Sequence, residues 1–362
     1  MRKFELSLAS DYIPEWTVVD AIRELFQNAL DEEAIDPENA MTVQRKNDKL
    51  YIGNHKSSLT TKSLLLGGST KKDDKHTIGK FGEGYKLATL VLLRLGHKVV
   101  IHNREAGEIW RPRFVDSKRY DAKVLTFFVE SNQDHGDCPL GSLIFVVDNI
   151  TDDVWTKIVD SNLHLQPPGN VNDTPKGQIL LDEDQHGRIY INGLYVCFNK
   201  DIKYGYNIKP EYLAIDRDRR LVGDFDLQWL TSDMWASRNE DAIELLKSGA
   251  PDVRYARHKF DYTQKNRVYK DFIEEHGEKA VPVSTQSELK AVPAGYTPVL
   301  VNDEYKSVIV GASDYEEPTI AEEATALEKL RTWYDEVCFN LPISTRLMGE
   351  FELIFSDLEE LL

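Results

Sequence analysis

The chain has 362 residues, 41% apolar, 10% aromatic and 29% charged, a globular composition that excludes a disordered or collagen-like polypeptide. Its 44 basic and 61 acidic residues leave a net charge of −17, which disfavours contact with nucleic-acid phosphates as the main activity. No apolar run approaches the ~20 residues of a membrane helix, the first residues lack a secretory pattern, and the scattered Cys138, Cys197 and Cys338 form no disulfide or zinc framework. These features predict a soluble chain of a reducing cytoplasm.

In chain order, helical periodicity predicts a first helix over 14–35. Pro14 sits in its first turn, and Ile22, Leu25, Phe26 and Ala29 form its buried face. Segments 42–46 and 49–54 read as a hairpin across Asn47-Asp48. Residues 55–85 are polar and rich in Gly, Lys, Ser and Thr, a loop of a length that is usually functional. A helix follows over 86–95 with Gly96 as its cap, then strands at 98–103, 124–130 and 142–149 and a helix over 152–162.

The Pro- and Asn-rich stretch 166–176 reads as a boundary or long loop. After it come a strand at 178–181, a hairpin over 188–198, and helices over 239–248 and 267–276 that end at Gly249 and Gly277. Short strands at 280–284 and 298–302 flank a capping-box pattern, Thr285-x-x-Glu288. The end, 319–337 and 345–361, reads as helical and acidic: residues 312–362 hold 13 acids against three bases. Its leucines, Leu327, Leu330, Leu347, Leu353, Leu358 and Leu361, are expected to pack on the body. The predicted division is 1–165, 166–250 and 251–362.

Two motifs carry chemistry. Glu24, Asn28 and Asp31 are spaced i, i+4, i+7, so they project from one helix face, roughly opposite Ile22, Phe26 and Ala29. A solvated amphipathic helix would place polar residues there too. The second motif, Gly79-Lys80-Phe81-Gly82-Glu83-Gly84-Tyr85-Lys86, opens a helix. Its glycines let backbone approach an anion, the helix start offers N–H groups, and Lys80 and Lys86 add charge. It is neither a dinucleotide fingerprint, which follows a strand in a βαβ unit, nor a Walker loop, which ends in Gly-Lys-Ser/Thr.

In this order and spacing the two motifs resemble those of the GHKL ATPases: gyrase B subunits, ninety-kilodalton heat-shock chaperones, sensor kinases and mismatch-repair (MutL-type) ATPases. The resemblance covers roughly residues 10–150. It implies an α+β fold, a Bergerat-type sandwich with helices on one face of a mixed sheet. Smaller α/β transducer-like and helical C-terminal regions would follow it. It also implies Glu24 as general base, Asn28 as magnesium ligand and Asp31 as a further polar position. Gly79, Lys80, Phe81, Gly82, Glu83, Gly84, Tyr85 and Lys86 would line a phosphate lid. Ser142, after Gly141, resembles the hydroxyl position that supports adenine recognition. A carboxylate can deprotonate water, and an amide oxygen suits a hard cation that keeps several waters.

One box departs from the pattern. Asn54 stands where the family has an adenine-reading Asp, and Lys56 and Ser58 replace two glycines. Asn keeps a carbonyl acceptor, though a weaker one than a carboxylate. In such ATPases a transducer domain supplies a cation to the γ-phosphate. Arg217 and Arg219, in Ile215-Asp-Arg-Asp-Arg-Arg220, are the candidates, with a surface ion-pair cluster as the alternative. The hairpin at 188–198 followed by Asp-Arg-Asp-Arg is also similar to phage rapid-lysis A-type proteins.

A third feature is the stretch 254–270. Arg254, Arg257, Lys259, Lys265, Arg267 and Lys270 interleave there with Tyr255, Phe260, Tyr262 and Tyr269. It fits single-stranded nucleic acid, a solvated helix face, or a partner for the acidic end. His135 and Cys138 form a local pair without a supporting motif. The expected function is magnesium-dependent binding and slow hydrolysis of ATP. Lid closure would switch a protein partner or an ATP-dependent homodimer. The alternative is a non-hydrolysing acidic interaction protein, such as a DNA mimic or phage–host factor.

Overall fold

The computed structural model describes residues 1–65, 83–132, 134–139, 141–213, 224–236, 239–318, 330–334 and 344–361. They fall into two compact units, Met1–Lys259 and Phe260–Leu362. The fold is α+β, and among the described residues no helix is long and apolar enough to cross a membrane.

The first unit opens with a seven-stranded sheet. Its strands are β1 (Arg2–Ala9), β2 (Met41–Lys46), β3 (Lys49–Asn54), β4 (Val99–Asn103), β5 (Glu108–Ser117), β6 (Ala122–Ser131) and β7 (Leu143–Val147), in spatial order β1-β6-β5-β4-β7-β3-β2. Every neighbouring pair is antiparallel, which corrects the expected mixed sheet. The β2–β3 hairpin forms as predicted, with Asn47 and Asp48 both left-handed at φ 50° and 56°, the turn whose twist matches that of the strands.

Helices α1 (Val18–Ile35), α2 (Gly84–Arg94) and α3 (Asp152–Asp160) belong to this part of the unit. Leu25, Phe26, Leu87 and Val91 of the first two share one core with Leu125, Phe127 and Val129 of β6 and with Phe145 and Val147 of β7. The alternate strand residues face the other way, as pleating requires. The first helix starts at Val18 and not near Pro14. Thr17 accepts from the Asp20 N–H while the Asp20 carboxylate accepts from the Thr17 N–H, a reciprocal cap. The chain before it is a turn, with Ile13 at φ 50°, whose Tyr12 and Ile13 carbonyls are held by Arg94.

A second, five-stranded sheet follows: β8 (Val171–Thr174), β9 (Gly177–Leu180), β10 (Arg188–Ile191), β11 (Leu194–Phe198) and β12 (Gly205–Ile208), in order β11-β10-β12-β9-β8. The β10–β12 pair is parallel. β8 falls inside the stretch expected to be a loop, paired to β9 throughout. Asn192 and Gly193 turn the β10–β11 hairpin at φ 48° and 75°. The sheet is tied to the end of α3 by Leu163 N–H to Gly193 O and Tyr195 N–H to Ser161 O.

Helices α4 (Asp224–Ala236), α5 (Asn239–Ser248) and the short α6 (Ala256–Lys259) complete the first unit. Asp252, fully buried, is its polar hub. Its carboxylate accepts the N–H of Lys203 and Tyr204 and the hydroxyl of Tyr206, and its carbonyl accepts the hydroxyls of Thr231 and Ser232 on α4.

The second unit contains α7 (Tyr262–His276), β13 (Ala280–Val283), α8 (Gln286–Ala291), β14 (Thr297–Leu300), α9 (Asp303–Val310) and α10 (Thr345–Leu361). β13 and β14 are parallel, joined through α8. Asp261 caps α7 reciprocally with Gln264, so the helix begins at Tyr262, five residues before the predicted start at 267. Thr285 caps α8 as expected, but Glu288 reaches back to the Ser284 N–H, so the box is only half closed. Of the predicted helix 319–337, only 330–334 lie among the described residues, and they are helical.

Candidate functional site

The site is built where α1 meets the start of α2. Glu24 and Asp31 are fully buried, not displayed on a solvated face, and Asn28 lies between them at partial exposure. Buried carboxylates in a helix that also buries Ile22, Leu25 and Phe26 are rare without a function or a partner. Opposite them stands Gly84, the first residue of α2. A Cβ on Gly84 would fall 2.7 Å from Glu24 Oε2, 3.3 Å from Asn28 Nδ2 and 3.6 Å from Asn28 Oδ1. The absent side chain is what lets the helix start sit on this pair. The first turn of a helix presents N–H groups without carbonyl partners in the helix, and its dipole favours negative charge.

Asn28 Nδ2 is buried and has no hydrogen-bond partner. An orphaned donor costs free energy and marks a place for an acceptor. Arg23, which sequence reading did not single out, places one guanidinium nitrogen 3.8 Å from Glu24 Oε1 and donates from another to Tyr195 O on β11, at 3.3 Å. No sequence pattern marks that contact, because Tyr195 is remote in the chain.

Several predicted phosphate residues lie elsewhere. Lys86 is fully buried, and its ammonium donates to Ser63 O at 2.8 Å and Leu65 O at 2.7 Å. It clasps the 3₁₀ turn Thr61–Leu64 and does not face an anion site. Burial pulls its pKa below the usual lysine value, with Glu83 opposing. Tyr85 points into the core against Phe127 and Phe145, and its hydroxyl meets Ser63 Oγ at 2.9 Å. Burial pushes that phenol's pKa up. Glu83 is the buried N-cap residue of α2, without a side-chain cap bond. Gly79, Lys80, Phe81, Gly82, Arg217 and Arg219 lie outside the described residues.

Asn54 and Ser142 are brought together at the ends of β3 and β7, where Asn54 pairs with Leu143. Asn54 is buried, and its amide donates to Ala29 O and Asn39 O, both at 2.9 Å. Both donors are thus spent within the fold, leaving only the carbonyl oxygen to read a base. Ser142 Oγ donates to His55 O. The glycine-poor loop after β3 is stitched by two buried amides instead. Asn39 bonds Ser57 Oγ and Lys56 N–H, and Asn103 bonds Ser58 Oγ, Leu59 N–H and Leu59 O.

The His135–Cys138 pairing is not formed as chemistry. His135 Nδ1 meets His102 Nδ1 at 3.1 Å, and burial raises the Cys138 thiol pKa, the opposite of what a nucleophile needs. Burial, then His135 and Arg104, hold the His102 pKa down at about 4. Among the described residues no group of three His, Cys, Asp or Glu side chains could hold a metal ion.

Two comparisons bear on this chain. A family model described as the Mycoplasma pneumoniae MPN635 N-terminal domain matches residues 155–239, a span that begins within α3 and contains the five-stranded sheet and α4. A protein of Mycoplasma pneumoniae (strain ATCC 29342 / M129 / Subtype 1), described as an uncharacterized protein, is similar over 234 residues at 25% identity, covering 61% of this chain and 92% of its own length.

Proposed function

We propose that the chain binds ATP with magnesium at the α1–α2 junction and hydrolyses it slowly, as its resemblance to GHKL ATPases implies. The observation that carries this reading is the placement of Gly84 against both Glu24 and Asn28. It joins the two motifs into one site and leaves the Asn28 amide without an internal partner.

The residues fit a magnesium–nucleotide complex. The Asn28 carbonyl oxygen would hold the cation, and its orphaned N–H would meet a phosphate or water oxygen. One amide ligand suffices for magnesium, which keeps waters and takes its other ligands from phosphates. When bound, the cation neutralises charge on the phosphates. The α2 start orients the polyphosphate through backbone N–H groups. Glu24, held in a buried position beside Arg23, takes the proton from the attacking water.

The test is magnesium-dependent ATP binding by calorimetry together with phosphate release, on wild type, Glu24→Ala and Asn28→Ala. Wild type should bind and turn over. Glu24→Ala should bind without turnover, and Asn28→Ala should lose the dependence on magnesium. A folded wild type that neither binds nor hydrolyses ATP sinks the reading.

A second reading, an acidic interaction protein without turnover, has one observation in its favour. The Asn54 amide is pinned to two backbone carbonyls where a free carboxylate would read adenine. On that reading wild type and Glu24→Ala show equal, absent phosphate release.

A further inference from the structure

A cluster of rings joins α4 to the segment 254–259 and shares no residue with the α1–α2 junction. Phe225 and Trp229, one helical turn apart, are stacked with centroids 5.8 Å apart and planes 20° apart. Tyr255 packs against both, at 5.1 and 5.6 Å. His258 lies 5.9 Å from Trp229, and Lys259 Nζ stands 4.1 Å over the Trp229 ring. Phe225 is 57% exposed, and Arg254, Arg257 and His258 are exposed as well.

The aliphatic residues of α4, Leu227, Leu230 and Met234, are all buried. Among its described side chains α4 thus exposes Phe225 and Asp226, while the segment 254–259 brings the cations beside the rings. In the chain Phe225 stands between Asp224 and the exposed Asp226, and Asp233 is ion-paired to both Lys176 and Lys259. The predicted basic–aromatic stretch is thus divided. Arg254, Tyr255, Arg257 and Lys259 join α4, whereas Phe260 is buried and Lys265, Arg267 and Lys270 belong to the second unit.

A flat, solvent-facing ring with cations at its margin matches an unstacked base and its phosphates. A duplex keeps its bases stacked and can use only the cations. An acidic peptide would likewise leave the ring unused. We propose that this surface binds single-stranded nucleic acid. Phe225 stacks on a base with Trp229 behind it, and Lys259 and Arg254 contact the backbone. The net charge of −17 keeps the binding weak, and two phosphate contacts give it a shallow salt slope of about −1.4.

The experiment is fluorescence anisotropy of a labelled oligothymidylate of about 20 nucleotides with the full chain at low salt. A duplex of the same length and polyglutamate serve as competitors. Wild type should bind, with neither competitor displacing the strand at equal concentration. Phe225→Ala should weaken binding about tenfold with an unchanged melting temperature, and Phe225→Trp should retain it. Lys259→Ala should lower the salt slope by about one. The proposal is overturned by no binding at low salt or by full affinity in Phe225→Ala. It is equally overturned if the duplex or polyglutamate competes as well as the single strand, which would make the surface merely electrostatic. None of these readouts depends on ATP.

Discussion

A methyl group on Gly84 would stand 2.7 Å from the Glu24 carboxylate oxygen Oε2. The glycine that starts one helix therefore sets where the carboxylate of another can rest. Gly84→Ala forces that carboxylate to move. On the proposed mechanism turnover falls at least about tenfold, since small misplacements of a reacting group are costly. Helix propensity itself favours alanine, so the melting temperature should not drop in parallel. Single-turnover phosphate release alongside thermal unfolding separates the two effects.

Asn54→Asp would put a carboxylate where the fold holds an amide, and the fold opposes it. The wild-type amide donates to Ala29 O and Asn39 O. A carboxylate would lose both bonds and face two carbonyl oxygens while buried. We expect a loss of about 2–5 kcal/mol in unfolding free energy, measured by urea titration. A neutral result would mean the loop between α1 and β2 relaxes freely.

Lys86→Met keeps the length of the side chain and removes its donors. The carbonyls of Ser63 and Leu65 then lose a partner, for an expected cost of about 1–3 kcal/mol. Were Lys86 a phosphate ligand instead, the variant would weaken ATP binding without this loss. Calorimetric binding and urea unfolding on the same preparation decide between them.

His102 sits with its pKa lowered to about 4, against 6.5 when unfolded, chiefly because burial disfavours its cation and His135 adds repulsion. The unfolded chain therefore binds the extra proton first as pH falls. The stabilising contribution of neutral His102 is complete above pH ~6.5 and is lost as pH drops toward ~4. Urea midpoints measured from pH 7 to pH 4 should fall less steeply in His102→Asn than in wild type. Parallel profiles would place this acid sensitivity elsewhere.

Asp252→Ala strips the acceptor from two backbone N–H groups and one buried tyrosine hydroxyl. We expect at least about 3 kcal/mol of destabilisation, with Asp252→Asn intermediate because it retains one acceptor oxygen. Circular-dichroism melts of the two variants check the order.

Much of this was legible in the chain. Asn47-Asp48 announced the first hairpin, and the spacing of Glu24 and Asn28 put both on one helix face, which meets Gly84 at the start of α2. The failures have physical causes. β5 was missed because Pro112 interrupts it. That proline lies past the residues paired to β4, on a stretch bonded only to β6, where a missing N–H costs nothing. α4 was missed because it is apolar on both sides, burying Leu227 and Trp235 while exposing Phe225, so no single face stands out. The first helix was started too early because Pro14 looked like an opening residue, when the reciprocal cap of Thr17 and Asp20 decides. Lys86 read as a free cation because charge is visible in a sequence and burial is not.

Asp252 has one more implication. Its carboxylate fastens the approach to β12 and its carbonyl fastens α4, so one residue holds strand and helix at once. Their local opening is then a single event, and native-state hydrogen exchange should show the Lys203 and Tyr204 amides gaining and losing protection in step with the amides of α4.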